Sequence, residues 1–109
     1  MTTHPYFIVR FRIDPKDEEA FNQWYNHEYL DTLKPIAPLF TKCYRLVGDE
    51  EGDRVYMTIY EIKDEASIEE AVAAFDRPGR EKYARQWQVW EKAGIKDMDD
   101  RVFHTIYSW

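Results

Sequence analysis

Two hydrophobic periods alternate along this chain in a set order, and that order limits its fold more than any other feature. Tyr6 to Ile13 repeats every second residue: Phe7, Val9, Phe11 and Ile13 share one face, and Tyr6, Ile8, Arg10 and Arg12 share the other. A period of two marks a strand with one dry face and one mixed face. Asp14-Pro15 follows at once and reads as a helix start. The carboxylate caps free N–H groups, proline tolerates the first turn, and acids from Asp17 to Glu19 suit its positive end. The helix is expected to run to about Leu33, with Pro35 and Pro38 closing it.

Leu39 to Val47 and Arg54 to Ile62 are rich in β-branched and aromatic residues, and the acidic stretch 48–53 between them reads as a hairpin loop. Ser67 with Glu70 forms a capping-box pattern opening a second helix, on which Ile68, Ala71, Val72 and Phe75 recur at helical spacing. Arg77-Pro78-Gly79 interrupts it. A further helix from about Arg80 to Ala93 carries Tyr83, Trp87 and Trp90 on one stripe, and Gly94 ends it. Arg101 to Trp109 alternates again and reads as a last strand. The order β-α-β-β-α-β predicts an α+β, ferredoxin-like fold: one domain over residues 1–109, with a four-stranded antiparallel sheet and the helices on one face. The bare face is expected to hold Tyr56, Thr58, Tyr60, Phe103, Tyr107 and Trp109, too aromatic for water. Two such sheets stacked face to face would cover each other in a C2 homodimer.

Charge and composition then exclude several partners. A net charge of −6 repels phosphate backbones and anionic lipid, so neither nucleic acid nor a membrane surface is an expected partner. The apolar runs are far shorter than the ~20 residues that span a bilayer, and no signal peptide is read at the N-terminus. One cysteine, Cys43, cannot form an internal disulfide, which fits a reducing, cytoplasmic setting. Aromatic residues make up 17% of the chain, whereas leucine appears only at Leu30, Leu33, Leu39 and Leu46. Walls that aromatic suit a pocket for a planar or apolar small molecule, although rings also simply fill cores.

The segment from Phe21 to Leu30 holds the candidate chemistry. Phe21, Trp24, Tyr25, Glu28 and Tyr29 fall on one helical stripe, so Glu28 sits within an aromatic surface expected to face the sheet. A carboxylate there is costly unless paired, hydrogen-bonded or protonated. Burial would raise its pKa toward the range useful for proton transfer; the alternative is that a tyrosine, an arginine or a backbone amide holds it structurally. His104, between Val102 and Ile106, is expected on the helix side of the last strand, either as a partner for Glu28 or as a satisfied core residue. His27 points toward a rim or solvent; with Asp31 it has the i, i+4 spacing of helical metal ligands, but no further ligands cluster with it. No phosphate loop, CxxC, nucleophile elbow or zinc spacing occurs, and no cofactor is read from the residues.

At Trp24-Tyr25-Asn26-His27-Glu28-Tyr29-Leu30 the chain resembles the dimeric α+β barrel superfamily, in particular its EthD-like members. Their first helix often carries Trp-Tyr-(Asn/Asp)-x-Glu-His-(Ile/Leu)-Pro, then a turn into an Arg/Tyr-rich strand. Trp24, Tyr25, Asn26, Glu28 and Leu30 match; Tyr29 stands for the usual histidine and Asp31 for the proline. A proline-containing turn, residues 34–38, leads into Cys43-Tyr44-Arg45-Leu46, and the stretch from Phe75 to Glu81 with Tyr83, Trp87 and Trp90 is also similar. The resemblance implies a pocket between helices and sheet in each subunit of a homodimer. Relatives include monooxygenases without a cofactor, cyclases, lactone isomerases, dehydratases and haem-binding enzymes. The expectation is a cofactor-free enzyme for proton transfer (isomerisation, cyclisation, dehydration or a lyase step) on an aromatic, lactone or polyketide-like substrate. Glu28, His104 and His27 are its candidate catalytic groups, and Trp24, Tyr25, Tyr29, Tyr44, Trp87 and Trp90 its candidate binding groups. The alternatives are a non-catalytic ligand-binding protein and a cofactor-free monooxygenase or haem protein of the same superfamily.

Overall fold

The strand period at the N-terminus is realised as β1 (Tyr6–Ile13), whose dry face is the floor of the core: Phe7, Phe11 and Ile13 are buried, with Val9 packed against them. The computed structural model describes residues 4–75 and 94–109, and of residues 28–30 and 32 it describes the backbone alone. β1 lies antiparallel between β3 (Asp53–Ile62) and β4 (Lys96–Phe103), and β3 pairs with β2 (Phe40–Glu50). The order β2-β3-β1-β4 is the expected four-stranded, ferredoxin-like α+β sheet.

The helical layer is wound less regularly than the sequence predicts. Asp14 accepts a bond from the backbone N–H of Lys16 at 3.0 Å, and a 3-10 turn, Pro15–Asp17, leads into α1 (Glu18–Trp24). The backbone then widens to a π-helical stretch, Tyr25–Tyr29, and tightens to 3-10 turns over Leu30–Leu39. The expected end near Leu33 is therefore overrun, and Pro35 and Pro38 sit inside helical turns. The reason is visible in the spacing: Leu33, Ile36 and Leu39 all meet the core, and three residues per turn is the winding that lines them up. A 3-10 turn, Glu65–Ser67, precedes α2 (Ile68–Ala74). Ala71 and Phe75 are buried and Ile68 and Val72 pack beside them, as their spacing predicts. The capping box does not form: the backbone of Ser67 is already helical, and its hydroxyl donates to the Asp64 carboxylate at 2.6 Å. The helix expected over 80–93 lies outside the described residues, with Tyr83, Trp87 and Trp90.

Three expectations about the strands need correcting. Register sets Phe7 opposite Tyr60, Val9 opposite Thr58 and Phe11 opposite Tyr56. Tyr56, Thr58 and Tyr60 therefore face the helices and are buried, not on the bare face. β3 is apolar on both sides, and its larger rings take the side where more area is removed from water. The other face carries Ile8, Met57, Ile59, Tyr44 and Leu46, with Phe103 opposite Tyr6. Second, the hairpin is tighter than the acidic loop suggested: β2 and β3 pair out to Glu50 and Asp53, leaving Glu51 and Gly52 as a two-residue turn. Both have positive φ, 49° and 87°, the backbone that matches the twist of paired strands. Third, β4 starts at Lys96 and stops at Phe103, because β1 begins at Tyr6 and offers no partner beyond it. Residues 104–109 continue outside the sheet, with Ile106, Tyr107 and Trp109 exposed. Among the described residues, no helix is long and apolar enough to cross a membrane.

Candidate functional site

Tyr25 opens the π-helical stretch directly over the middle of β3. Its ring lies against Phe21 and Trp24, with centroids 5.5 and 6.2 Å away. Its hydroxyl meets Thr58 Oγ1 at 3.2 Å and, by a longer and weaker contact, the Tyr60 hydroxyl at 3.4 Å. Tyr25, Thr58 and Tyr60 are all buried. The three hydroxyls lie where two ring clusters meet. One is Phe11, Phe21, Trp24, Tyr25 and Tyr56; the other is Phe7, Phe40, Tyr60 and Phe75, whose closest centroids are 4.7 and 4.8 Å apart. Burial pushes the Tyr25 phenol above its ordinary pKa, against the opposing pull of the Thr58 and Tyr60 hydroxyls and of Arg45. The group therefore keeps its proton at neutral pH and can donate it in a hydrogen bond.

Arg45 reaches across from β2 on the helix-facing side. Its guanidinium carbon lies 4.2 Å from the Tyr25 ring centroid and 5.2 Å from that of Tyr56, contacts worth about 0.5–2 kcal/mol each depending on desolvation. Nη1 donates to Asn26 Oδ1 at 2.6 Å and Nη2 to Asn22 Oδ1 at 3.1 Å, so α1 and the π-helical stretch hold it by two neutral amides. Next to it, Asn22 donates to the Tyr56 hydroxyl at 3.0 Å, and that hydroxyl donates to Glu18. Arg54 Nε donates to the same Glu18 carboxylate at 2.7 Å and Arg54 Nη1 to Asp49 at 2.6 Å. The Tyr56 hydroxyl, then Arg54, lower the pKa of Glu18; burial, then Glu18, raise that of Tyr56. A polar belt thus wraps the outer edge of the first ring cluster. Alongside it, a polar hollow of about 410 Å3 follows α1, lined by Glu18, Glu19, Asn22, Gln23, Asn26 and His27. A larger apolar groove of about 910 Å3 runs between Pro35–Leu39 and α2, with Glu69 and Glu70 at its side.

The structure brings together only part of the set expected from sequence. Trp24 and Tyr25 line the buried ring cluster. Glu28 and Tyr29 lie in the π-helical stretch, and their side chains are outside the described residues, as are Trp87 and Trp90. Tyr44 is opposite Ile59 on the other face of the sheet and 43% exposed, because its strand neighbour Arg45 takes the helix side. It is therefore separated from Tyr25 by the sheet. His104 is not in the core: β4 has ended, and its Nδ1 lies 3.3 Å from Glu65 Oε1 at an exposed position. His27 is exposed beside the polar hollow, and Asp31 pairs with Lys34 at 2.9 Å. Neither His27 nor His104 faces the ring-lined interior, so these histidines offer no axial position for a haem there. Among the described residues, no group of three or more His, Cys, Asp or Glu side chains could hold a metal ion. Thr58, Tyr60 and Arg45 escaped a role in the sequence reading; pairing Tyr60 with Phe7, a residue already placed on the dry face, is the step that exposes the first two.

No family model matches this chain, and no curated protein matches it. The resemblance to the EthD-like family therefore rests on its motif residues alone. The fold is similar to that of a solved structure described as an antibiotic biosynthesis monooxygenase from Bacillus cereus. The TM-score is 0.55 and the identity 11%, with 100% of this chain and 98% of that one covered.

Proposed function

We propose that this chain binds a small aromatic molecule between its sheet and helical layer and oxygenates it with O2 without a resident cofactor, acting as a homodimer. The observation that carries the reading is the buried set of Tyr25, Thr58 and Tyr60 hydroxyls inside a ring-lined interior. Rings bind a planar substrate, and a phenol held neutral donates to a substrate oxygen where negative charge gathers. A ketone with an acidic CH2, adjacent to the carbonyl or conjugated with it through a ring, loses a proton to give an enolate, which passes electrons to O2. One oxygen atom ends in a new carbonyl, the other leaves as water with the two hydrogens of the CH2. In this scheme Tyr25 stabilises the enolate oxygen, Thr58 and Tyr60 orient Tyr25, and Glu28 accepts the proton. Isomerisation, cyclisation or a lyase step would share the proton abstraction, but the monooxygenase description of the fold neighbour favours the oxidative continuation. The apolar centre of the bare sheet face is the proposed subunit contact, and the single Cys43 fits a reducing, cytoplasmic setting.

Anthrone, whose CH2 lies between two rings and opposite a carbonyl, is a direct probe. The purified protein should consume O2 in step with anthraquinone formation, without peroxide. Tyr25→Phe should lower kcat by about a hundredfold, the effect of losing one oxyanion donor. Uptake no faster than in buffer would remove this reading.

A further inference from the structure

We propose that the ligand of this pocket carries an anionic group, a carboxylate or its equivalent, and that Arg45 is the residue that binds it. The inference rests on the pocket reading above and adds the charge of the ligand to it. Arg45 is a cation built into the wall of the ring cluster, yet among the described residues none of the carboxylates around it is its partner. Glu18 is committed to Arg54 and Tyr56, Asp49 to Arg54, and Glu50 to Arg10 and Arg12. The oxygens that do meet Arg45 belong to the neutral amides of Asn22 and Asn26. Among the described residues every other arginine is paired: Arg10, Arg12, Arg54 and Arg101 each lie within 4.0 Å of a carboxylate. In a chain of net charge −6, acids to neutralise one more arginine are plentiful, and among the described residues this arginine has none.

The guanidinium also has donors to spare. Of the five N–H groups of an arginine, one on each terminal nitrogen goes to an amide, and Nε–H is buried with no acceptor. Stacking on Tyr25 and hydrogen bonding to α1 fix the plane of the fork, which is the preorganisation that two-point recognition of a carboxylate requires. Asn22 and Asn26 then act as positioning residues: they hold the cation while leaving its charge uncancelled. A planar acid whose ring lies among the aromatic side chains and whose carboxylate meets Arg45 would satisfy both halves of the site.

The pair 2-naphthoate and 2-naphthamide separates charge from shape, and intrinsic probe fluorescence measures both affinities on the full chain at one salt concentration. Wild type is expected to bind the acid about tenfold more tightly than the amide, the margin of a charge-assisted over a neutral bond. Arg45→Gln should abolish that preference while still binding the amide, and Arg45→Lys should keep part of it; thermal melts confirm that each variant is folded. If wild type binds both probes equally, or Arg45→Gln retains the preference, the anion assignment falls and the pocket stands. If neither probe binds, the pocket reading and this inference fall together.

Discussion

Removing the Tyr25 hydroxyl tests whether the buried trio works as a coupled unit. In Tyr25→Phe the ring stays, so its packing on Phe21 and Trp24 and its contact with Arg45 persist. What changes is the bond to Thr58, a residue with 0% exposure whose hydroxyl has Tyr25 as its partner. A buried hydroxyl left unpaired costs about 1–3 kcal/mol. Replacing both partners by apolar groups of the same shape is nearly neutral by comparison. Thr58→Val alone should cost less than Tyr25→Phe, because the Tyr25 hydroxyl still has Tyr60 at 3.4 Å. The double variant should then be less destabilised than the two singles added together, by about 1 kcal/mol or more. In a domain of this size that coupling is about 4 °C in Tm. Urea unfolding at fixed protein concentration reads it as a shift in midpoint with an unchanged slope. Additive singles would show that the hydroxyls stand near one another without sharing a bond, and the site argument would lose its centre.

Two further outcomes are expected. Hydrogen bonds from Tyr56 and Arg54 depress the pKa of Glu18, so its stabilisation is present above the ordinary carboxylate pKa and is lost as pH falls through the depressed folded value. Glu18→Gln should accordingly be less stable at neutral pH and flatten the acid limb of a Tm-against-pH profile; an unchanged limb would contradict the pairing. Gly52, at φ 87°, should lose about 1–2 kcal/mol on change to alanine and less on change to asparagine, measured by urea midpoints. Equal losses for the two would mean the turn relaxes into another shape.

How far each element was legible follows from how one-sided its pattern is. β1 alternates large apolar residues with arginines, so its buried face could be read directly. β3 is apolar on both sides, and alternation says which residues share a face without saying which face is buried; register against Phe7 and Phe11 decides it. β4 was misplaced because Lys96 to Asp100 has little strand propensity, while the run from Val102 to Tyr107 has plenty. Pairing with β1 overrides both preferences. The 3-10 turns through Pro35 and Pro38 follow from contacts at Leu33, Ile36 and Leu39 that local proline rules do not include. Within the site, Trp24 and Tyr25 were legible from helical spacing. Arg45 was not, because whether its charge is cancelled depends on which acids other arginines take.

The two margins of the sheet are unlike. β4 borders it with Lys96, Asp97, Asp99, Asp100 and Arg101, all exposed, whereas β2 borders it with the mostly uncharged run from Phe40 to Val47. Growth of a fibre by strand addition needs a receptive margin at both ends of every added molecule, and here one end is guarded by charge. Strand addition at the β2 margin would therefore stop at one partner and would not propagate.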